Sequence, residues 1–154
     1  MGCWSRSRLS QSWSCSAGYS SIWLGLAAVE NFGKVHTVDK AQAKVNMAKH
    51  NIAEAGLEGV VIIYHMSVLD FLEANDQCFD LVFFDADKSN YKRYFDYIDP
   101  LLKPGGMLIA DNAINYEHLM KDFMDGLNNN PHYRGAIYSI DNGLVIYEKL
   151  PAQN

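Results

Sequence analysis

The sequence predicts an α/β fold of the doubly wound type, and three observations support this. From residue 18 onward, short apolar runs alternate with segments of helical period. The run Leu81–Phe84 is too short for a buried helix and is apolar at every position, as strands covered on both faces are. The last two strand-like runs are separated only by Asp141-Asn142-Gly143, so they must pair antiparallel. We therefore expect a mostly parallel sheet with an antiparallel C-terminal hairpin.

Residues 1–17 differ from everything after them. They are rich in serine, and their tryptophans and cysteines follow neither a helical nor a strand period. We interpret this segment as a poorly ordered lead-in or, alternatively, as a strand position filled by a weak sequence. One domain is predicted over residues 18–150, followed by a short tail at 151–154.

Turn and cap residues separate the predicted elements. Ser20 or Ser21 is expected to cap the first helix, while Gly33 and Gly56 follow the ends of the first and second. The residues Lys103–Gly106 break a helix before the next strand. In chain order the predicted elements are helix 22–30, strand 34–38, helix 41–55, strand 60–64, a short helix from 67, strand 81–84, helix 91–101, strand 107–110, helix 119–127, and strands 136–140 and 144–147.

Charge and composition exclude several classes of partner. The chain has 154 residues and a net charge of −5, with both signs interspersed, so no basic surface for nucleic acid or for a membrane is expected. No apolar run approaches the length of a membrane span. The cysteines Cys3, Cys15 and Cys78 show neither paired nor metal-ligand spacing, which favours reduced thiols and a cytoplasmic location.

Acidic side chains follow two of the predicted strands where each strand ends. Asp85 and Asp87 follow one strand, and Asp111 and Asn112 follow the next. Ligands bind at this edge of open α/β sheets. Two like charges about 4 Å apart repel by roughly 4 kcal/mol at an effective dielectric of 20, so a cation or a lysine is expected beside them. Asp85, Asp111 and Asn112 are suitable ligands for Mg²⁺ or Ca²⁺; alternatively the acids, Asp87 and Asp111 especially, are helix caps.

Lys88 stands at a predicted helix start, where a positive charge opposes the helix dipole. This placement, next to the acidic cluster, makes Lys88 a candidate general base. The alternative is a surface lysine that pairs with Asp85 or Asp87.

Other strand ends offer groups that could hold a nucleotide. Asp39 is placed to accept hydrogen bonds from ribose hydroxyls, and it could also cap the following helix. Gly18 would allow the backbone to approach a ligand closely, with the Ser20 hydroxyl nearby. Ser67 and Val68 follow the third strand, where backbone groups could meet a base. Neither G-x-G-x-x-G nor a Walker loop occurs, which argues against a nicotinamide-dependent dehydrogenase and against triphosphate binding.

Four stretches together resemble the cation-dependent O-methyltransferases of the caffeoyl-CoA and catechol type: GYSSIWLGLA, KVHTVD, FDLVFFDADKSNY and LLKPGGMLIADN. The resemblance runs from Gly18 to about Lys149 and implies the class I methyltransferase fold with S-adenosylmethionine as cofactor. By position, Asp85, Asp111 and Asn112 resemble the family's metal ligands, and Lys88 its catalytic lysine. The predicted cofactor-binding residues are Gly18, Ser20, Asp39, Ser67, Val68, Asp85 and Asp87.

The implied activity is metal-dependent methylation of a catechol-like or caffeoyl-type hydroxyl on a small phenolic molecule. The resemblance leaves a homodimer open. The chain departs from the family where the motif E-[IV]-G-x-x-x-G is expected, because the aligned residues 12–18 lack the acid and the first glycine. The family's upstream helices have no counterpart either, so the N-terminus looks truncated or altered. A catalytically impaired relative that serves as a binding or scaffold module is the alternative.

Overall fold

The structure is a computed structural model that describes residues 9–13 and 16–152. Strands and helices alternate along the chain, and single 3₁₀ turns lie at Ser16–Gly18, Lys88–Asn90 and Asp99–Leu101. The elements are β1 (Leu9–Trp13), α1 (Tyr19–Glu30), β2 (Lys34–Asp39), α2 (Gln42–Glu54), β3 (Val61–His65), α3 (Val68–Ala74), β4 (Phe79–Phe84), α4 (Tyr91–Ile98), β5 (Leu102–Asp111), α5 (Glu117–Asn128), β6 (Tyr133–Tyr138) and β7 (Leu144–Lys149).

The described strands form one sheet in the order β3-β2-β1-β4-β5-β7-β6. The first five of these positions are parallel, whereas β7 runs antiparallel to both β5 and β6. The strand order reverses between β1 and β4, which is where open sheets of this type form a ligand crevice. The predicted doubly wound fold with an antiparallel C-terminal hairpin is confirmed.

Strand β1 occupies the middle of the sheet, between β2 and β4. Its residues 9–13 belong to the segment for which the sequence left two alternatives, a lead-in or a strand of weak sequence. The described residues follow the second alternative. Residues 1–8, 14–15 and 153–154 lie outside the described part of the chain.

Two of the predicted helix ends are correct. The Ser67 hydroxyl accepts a hydrogen bond from the Asp70 backbone N–H at 3.1 Å, which makes Ser67 the N-cap of α3. Gly56 follows the end of α2 with a left-handed φ of 67°, and its N–H donates to the Ala53 carbonyl.

The predicted ends of α1 are wrong. Its N-cap is Gly18 rather than a serine, and the buried Ser21 hydroxyl donates instead to Thr37 Oγ1 on β2, at 3.1 Å. At the other end the left-handed residue is Phe32, with φ 54°, and not Gly33. Packing of the helix against the sheet therefore uses the hydroxyl that local sequence assigns to a cap.

The segment Lys103–Gly106 does not separate a helix from a strand. Strand β5 already begins at Leu102, which pairs with Phe79, and the ladder shifts register before Leu81 pairs with Met107. This irregularity in the ladder accommodates the glycines and the proline within the strand.

Two clusters of buried side chains cover the two faces of the sheet. The larger one packs α3, α4 and α5 against β4, β5 and β7, with Phe84, Leu108 and Val145 fully buried. The smaller one lies on the other face, where α1 and α2 contact β1, β2 and β3. On that face the side chains of β4, β5 and β7 are half-buried or exposed: Leu81, Phe83, Met107, Ile109, Leu144 and Ile146.

The sequence also predicted that the chain has no membrane span and that its cysteines are unpaired. Within the described residues, no helix combines the length and hydrophobicity needed to cross a bilayer. Cys78, immediately before β4, is buried and disulfide-bonded, so the expectation of unpaired cysteines is wrong at this position.

A buried histidine makes stability depend on pH. His36 on β2 is 5% exposed, stacks on Tyr64 and lies 3.0 Å from the Tyr64 hydroxyl through Nδ1. Burial lowers the pKa of His36 below its ordinary value of 6.5. The unfolded chain therefore binds a proton more readily, and the free energy of unfolding should fall as the pH drops below about 6.5.

We expect His36→Gln to flatten the pH dependence of the unfolding free energy between pH 7 and pH 5, as measured by urea denaturation. The exposed His50 provides the matched control, since His50→Gln should leave the slope unchanged. An unchanged slope in His36→Gln would show that another group carries the pH dependence.

Candidate active site

The pairing of β4 with β5 brings two of the predicted acids together. Phe84 stands opposite Ala110 in the parallel ladder, so Asp85 and Asp111 are the next residues on adjacent strands. Neighbouring strands lie about 4.8 Å apart, and residues in register project from the same face. The register thus places Asp85 and Asp111 at neighbouring positions of the carboxyl edge, and their joint role as metal ligands stays a prediction.

Asn112 is held against Asp111 by its backbone conformation. Its φ is 65°, in the left-handed region that asparagine tolerates better than most residues. Its backbone N–H donates to Asp111 Oδ1 at 2.7 Å, and its side-chain amide donates to Oδ2 at 2.9 Å. Asp111 does not cap α5, whose N-cap is Tyr116, so the cap alternative is wrong for this residue.

The turn of the β6–β7 hairpin fixes the loop that follows Asn112. The backbone N–H groups of Ala113 and Ile114 donate to the carbonyls of Gly143 and Asn142, at 2.9 and 2.8 Å. The Asn115 amide also donates to Asn142 Oδ1 at 2.7 Å. The antiparallel hairpin, distant in sequence, thereby supports the third predicted ligand.

Lys88 is enclosed rather than on the surface. Its Nζ donates to Asp85 Oδ1 at 3.2 Å, and its side chain is 12% exposed. The ammonium lies 5.8 Å from the ring centroid of Tyr91 and 5.7 Å from that of Tyr116, which are cation–π distances. The alternative of a surface lysine is wrong, although its expected partner Asp85 is correct.

Tyr91 lies beneath this group. Its side chain is fully buried, and its hydroxyl is the one buried side-chain polar atom without a hydrogen-bond partner among the described residues. Burial raises the pKa of Tyr91, and the charges of Asp85 and Asp111 raise it further, so the hydroxyl keeps its proton. The backbone N–H of Ala86 opposes this shift from nearby without forming a hydrogen bond of normal geometry.

Asp87 fits the cap alternative. Its Oδ1 accepts from the Ser89 N–H at 3.2 Å and from the Ser89 hydroxyl at 2.7 Å, while Oδ2 accepts from the Asn90 amide at 2.9 Å. These bonds, the one from the Ser89 hydroxyl foremost, lower the pKa of Asp87. Asp87 nevertheless also faces the cleft described next.

A cleft of about 440 Å³ opens beside the acids, at the carboxyl ends of β2, β3 and β4. Five predicted cofactor residues line it: Asp39, Ser67, Val68, Asp85 and Asp87. The remaining lining residues are Val38, Lys40, Lys44, Met66, Leu69, Ala86, Asn90 and Tyr94. The cleft is large enough for a nucleoside-sized ligand.

Gly18 and Ser20 are not among the residues that line this cleft. A Cβ on Gly18, whose φ is 92°, would stand 3.3 Å from Ala48 Cα, so the glycine permits close packing of the first turn on α2. Asn51 of α2 also donates to the Ala17 carbonyl at 2.7 Å. A role for Gly18 and Ser20 toward a ligand stays a prediction.

Asp39 lines the cleft at the carboxyl end of β2. Oδ1 accepts from the Ala41 N–H at 2.8 Å, and Oδ2 lies 4.0 Å from Lys44 Nζ. Asp39 is not the N-cap of α2, since that position is Ala41.

The donor set restricts which ion could bind. Nowhere in residues 9–13 and 16–152 do three His, Cys, Asp or Glu side chains gather as a metal site. A site at Asp85 and Asp111 therefore needs the amide oxygen of Asn112 as its third protein ligand. Two carboxylates and an amide are hard oxygen donors that fit Mg²⁺, Mn²⁺ or Ca²⁺ and leave positions for water or substrate.

Sequence reasoning missed several residues around the site. Lys40, Lys44, Asn90 and Tyr94 line the cleft, and Tyr116 lies over Lys88. Asn90 and Tyr94 follow Asp87 at helical spacing, and this spacing alone could have indicated that they reach the same cleft. Nothing local in the sequence distinguishes Tyr116, because the hairpin contact that folds its loop involves residues more than 25 positions away.

A family model described as O-methyltransferase matches residues 14–144. The chain belongs to this O-methyltransferase family.

Two relatives and one solved structure illustrate the similarity. A catechol O-methyltransferase of Niastella koreensis is 37% identical over 102 residues, which are 64% of this chain and 46% of that protein. A caffeoyl-CoA O-methyltransferase of Populus kitakamiensis is 33% identical over 113 residues, 70% of this chain and 48% of that protein. The O-methyltransferase TomG of Streptomyces achromogenes, solved in complex with SAM, has the same fold, with a TM-score of 0.85 at 23% identity over 95% of this chain and 74% of that one. The chain spans about half the length of the two relatives.

The hairpin contact can be tested at Gly143. Its φ is 92°, and an added Cβ would lie 2.6 Å from Ile114 Cγ1 and 2.8 Å from the Ile114 nitrogen. We expect Gly143→Ala to cost about 1–3 kcal/mol of unfolding free energy by thermal or urea denaturation, because strain and clash act together.

Two controls separate these causes. Gly105→Ala shares a positive φ of 80° but meets nothing within 4 Å, whereas Gly59→Ala has neither feature. Gly105→Ala should cost less than Gly143→Ala, and Gly59→Ala should be close to neutral. Equal stability of Gly143→Ala and Gly59→Ala would contradict the supporting role of the hairpin.

Proposed function

We propose that the chain is an S-adenosylmethionine-dependent and divalent-metal-dependent O-methyltransferase that acts on a catechol-like or caffeoyl-type hydroxyl. One observation carries the proposal. Asp85 and Asp111 follow paired positions of two adjacent strands, and Asn112 is hydrogen-bonded to Asp111. Asp85 also binds the enclosed Lys88 and lines a nucleoside-sized cleft.

The cleft supports the cofactor assignment. The Asp39 carboxylate would accept hydrogen bonds from the ribose hydroxyls, as acids after the second strand of nucleotide-binding α/β folds do. Ser67, Val68 and Asp87 would hold the base from the neighbouring strand ends. TomG, a protein of the same fold, was solved with SAM, which is consistent with this use of the cleft.

Asp85, Asp111 and Asn112 would hold the divalent cation, for which Mg²⁺ or Ca²⁺ is the predicted identity. When bound, the cation supplies Lewis-acid polarisation of an acceptor oxygen. The buried Tyr91 hydroxyl and the oxygen-only donor set fit such an ion.

In its uncharged amine form, having first released one proton to solvent, Lys88 would take the proton of the acceptor hydroxyl. A phenol has a pKa of about 10, so its deprotonation at neutral pH costs roughly 4 kcal/mol. Lys88 Nζ lies 3.2 Å from Asp85 and is shielded by Tyr91 and Tyr116, so the group is held in one position. A positioned base lowers this cost, and in-line placement of the oxygen against the sulfonium methyl supplies the rest of the rate enhancement.

The methyl acceptor, the oligomeric state and the location of the protein are part of the proposal. The name of each relative suggests a phenolic small molecule, catechol or caffeoyl-CoA, as the acceptor class. A homodimer and a cytoplasmic location stay predictions, and the disulfide at Cys78 does not favour a reducing compartment.

Calorimetric titration with S-adenosylmethionine, with and without Mg²⁺, tests the proposal, together with methyl transfer to catechol followed by mass spectrometry. We expect cofactor binding in both conditions and methylated product only with Mg²⁺. No heat at millimolar cofactor would instead support a binding or scaffold module.

We expect Asp111→Ala to lower methyl transfer by at least about 100-fold, because it removes one metal ligand and the partner of Asn112. Cofactor binding without Mg²⁺ should persist. The control Asp96→Ala also removes one carboxylate, here 59% exposed on α4, and should leave transfer unchanged. Full activity in Asp111→Ala would refute the ligand assignment.

Lys88→Met should lower kcat by about 10²–10⁴-fold with little effect on cofactor affinity, since it removes the proton acceptor but keeps the length of the side chain. Lys92→Met, four residues further on and 46% exposed, is the matched control. A fall in cofactor affinity with unchanged kcat would mean that Lys88 serves binding rather than proton transfer.

A further inference from the structure

We propose that the Tyr91 hydroxyl is a positioning group for the metal site, donating a hydrogen bond to the Asp85 carboxylate when a divalent cation is bound. This inference rests on the proposed function and deepens it. Tyr91 does not touch the reacting atoms in this role; it acts through a ligand.

Among the described residues, no group accepts the proton of the Tyr91 hydroxyl in a hydrogen bond of normal geometry. The ring of Tyr91 is held by aromatic contacts with Phe84 and Phe123, at centroid distances of 5.0 and 5.6 Å. A phenylalanine would make the same contacts without burying an O–H group. Burial of a hydroxyl without a partner is unfavourable, so its presence at 0% exposure points to a partner that only the loaded site supplies.

The ring of Tyr91 packs among residues that adjoin the predicted ligands. Phe84, on which the ring packs, directly precedes Asp85 on β4. Lys88 Nζ lies over the face of the same ring and binds Asp85. The charges of both Asp85 and Asp111 act on the hydroxyl, with Asp85 the stronger of the two.

A bound cation would change the number of hydrogen bonds that Asp85 needs. One of its oxygens now accepts from Lys88, and a carboxylate that ligates a metal needs further hydrogen bonds to fix its orientation. The Ala86 N–H can only donate to the Tyr91 oxygen. The O–H group of Tyr91 therefore still needs an acceptor. Asp85, oriented by the ion, would supply that acceptor, with no change in the protonation of Tyr91.

The test is Mn²⁺ binding to the full chain, measured from the electron paramagnetic resonance signal of free Mn²⁺ in the absence of cofactor and acceptor. We expect Tyr91→Phe to weaken Mn²⁺ binding about 10–100-fold, the usual range when a group that orients a metal ligand is lost. Unfolding in metal-free buffer should be unchanged or shifted to higher temperature, because the variant removes an unpartnered buried hydroxyl.

Tyr133→Phe is the matched control. Tyr133 belongs to the same buried cluster, but its hydroxyl donates to Asp99 at 2.8 Å, away from the acids. This variant should lose thermal stability and keep the Mn²⁺ affinity of the unaltered chain. A purely structural role for Tyr91 would give the same result in Tyr91→Phe.

The outcomes separate this inference from the proposed function. Equal Mn²⁺ affinity in the unaltered chain and Tyr91→Phe overturns the positioning role alone and leaves the metal site standing. Absence of Mn²⁺ binding in the unaltered chain overturns the metal dependence of the proposed function, and the positioning role with it. As an independent check, Tyr91→Phe added to Asp85→Asn should weaken residual Mn²⁺ binding no further.

Discussion

The parallel pairing of β4 with β5 is the constraint on which the site depends. Its register sets Phe84 against Ala110 and so carries Asp85 and Asp111 to the same height at the sheet edge. A slip of one residue would turn one acid to the opposite face, because side chains alternate along a strand. The buried core fixes the register. Val82, Phe84, Leu108 and Ala110 are all fully buried on one face of the sheet, and a slip would move the side chains of one strand out of that core.

The apolar residues that fix this register also allowed the fold to be predicted from the sequence. Uniformly apolar runs ending in acids predicted strands β4 and β5 and the position of the site. The short connection between β6 and β7 predicted their antiparallel pairing. What sequence could not supply was the use of side chains across the structure. Ser21 looks like a helix cap but binds Thr37, and Phe32 rather than Gly33 takes the left-handed conformation.

The same distinction holds at the site. Asp85, Asp111 and Asn112 could be grouped because they end neighbouring strands, and Ser67 and Val68 because they follow the third strand. Tyr116 and the hairpin turn at Gly143 could not, since their contribution depends on contacts between distant segments. Strand β1 was ambiguous for a related reason. Its sequence is weak by any local measure, and its place between β2 and β4 comes from backbone pairing with strands on both sides.

The sheet face formed by Leu81, Phe83, Met107 and Ile109 has a consequence for handling the protein. These side chains are half-buried or exposed, whereas their neighbours on the other face are fully buried. Contiguous apolar surface of this kind adheres to other apolar surfaces, and sulfate strengthens the adhesion because it is excluded from the protein surface. The chain should accordingly bind hydrophobic chromatography resin at modest ammonium sulfate concentrations and salt out early, behaviour that its acidic net charge alone would not suggest.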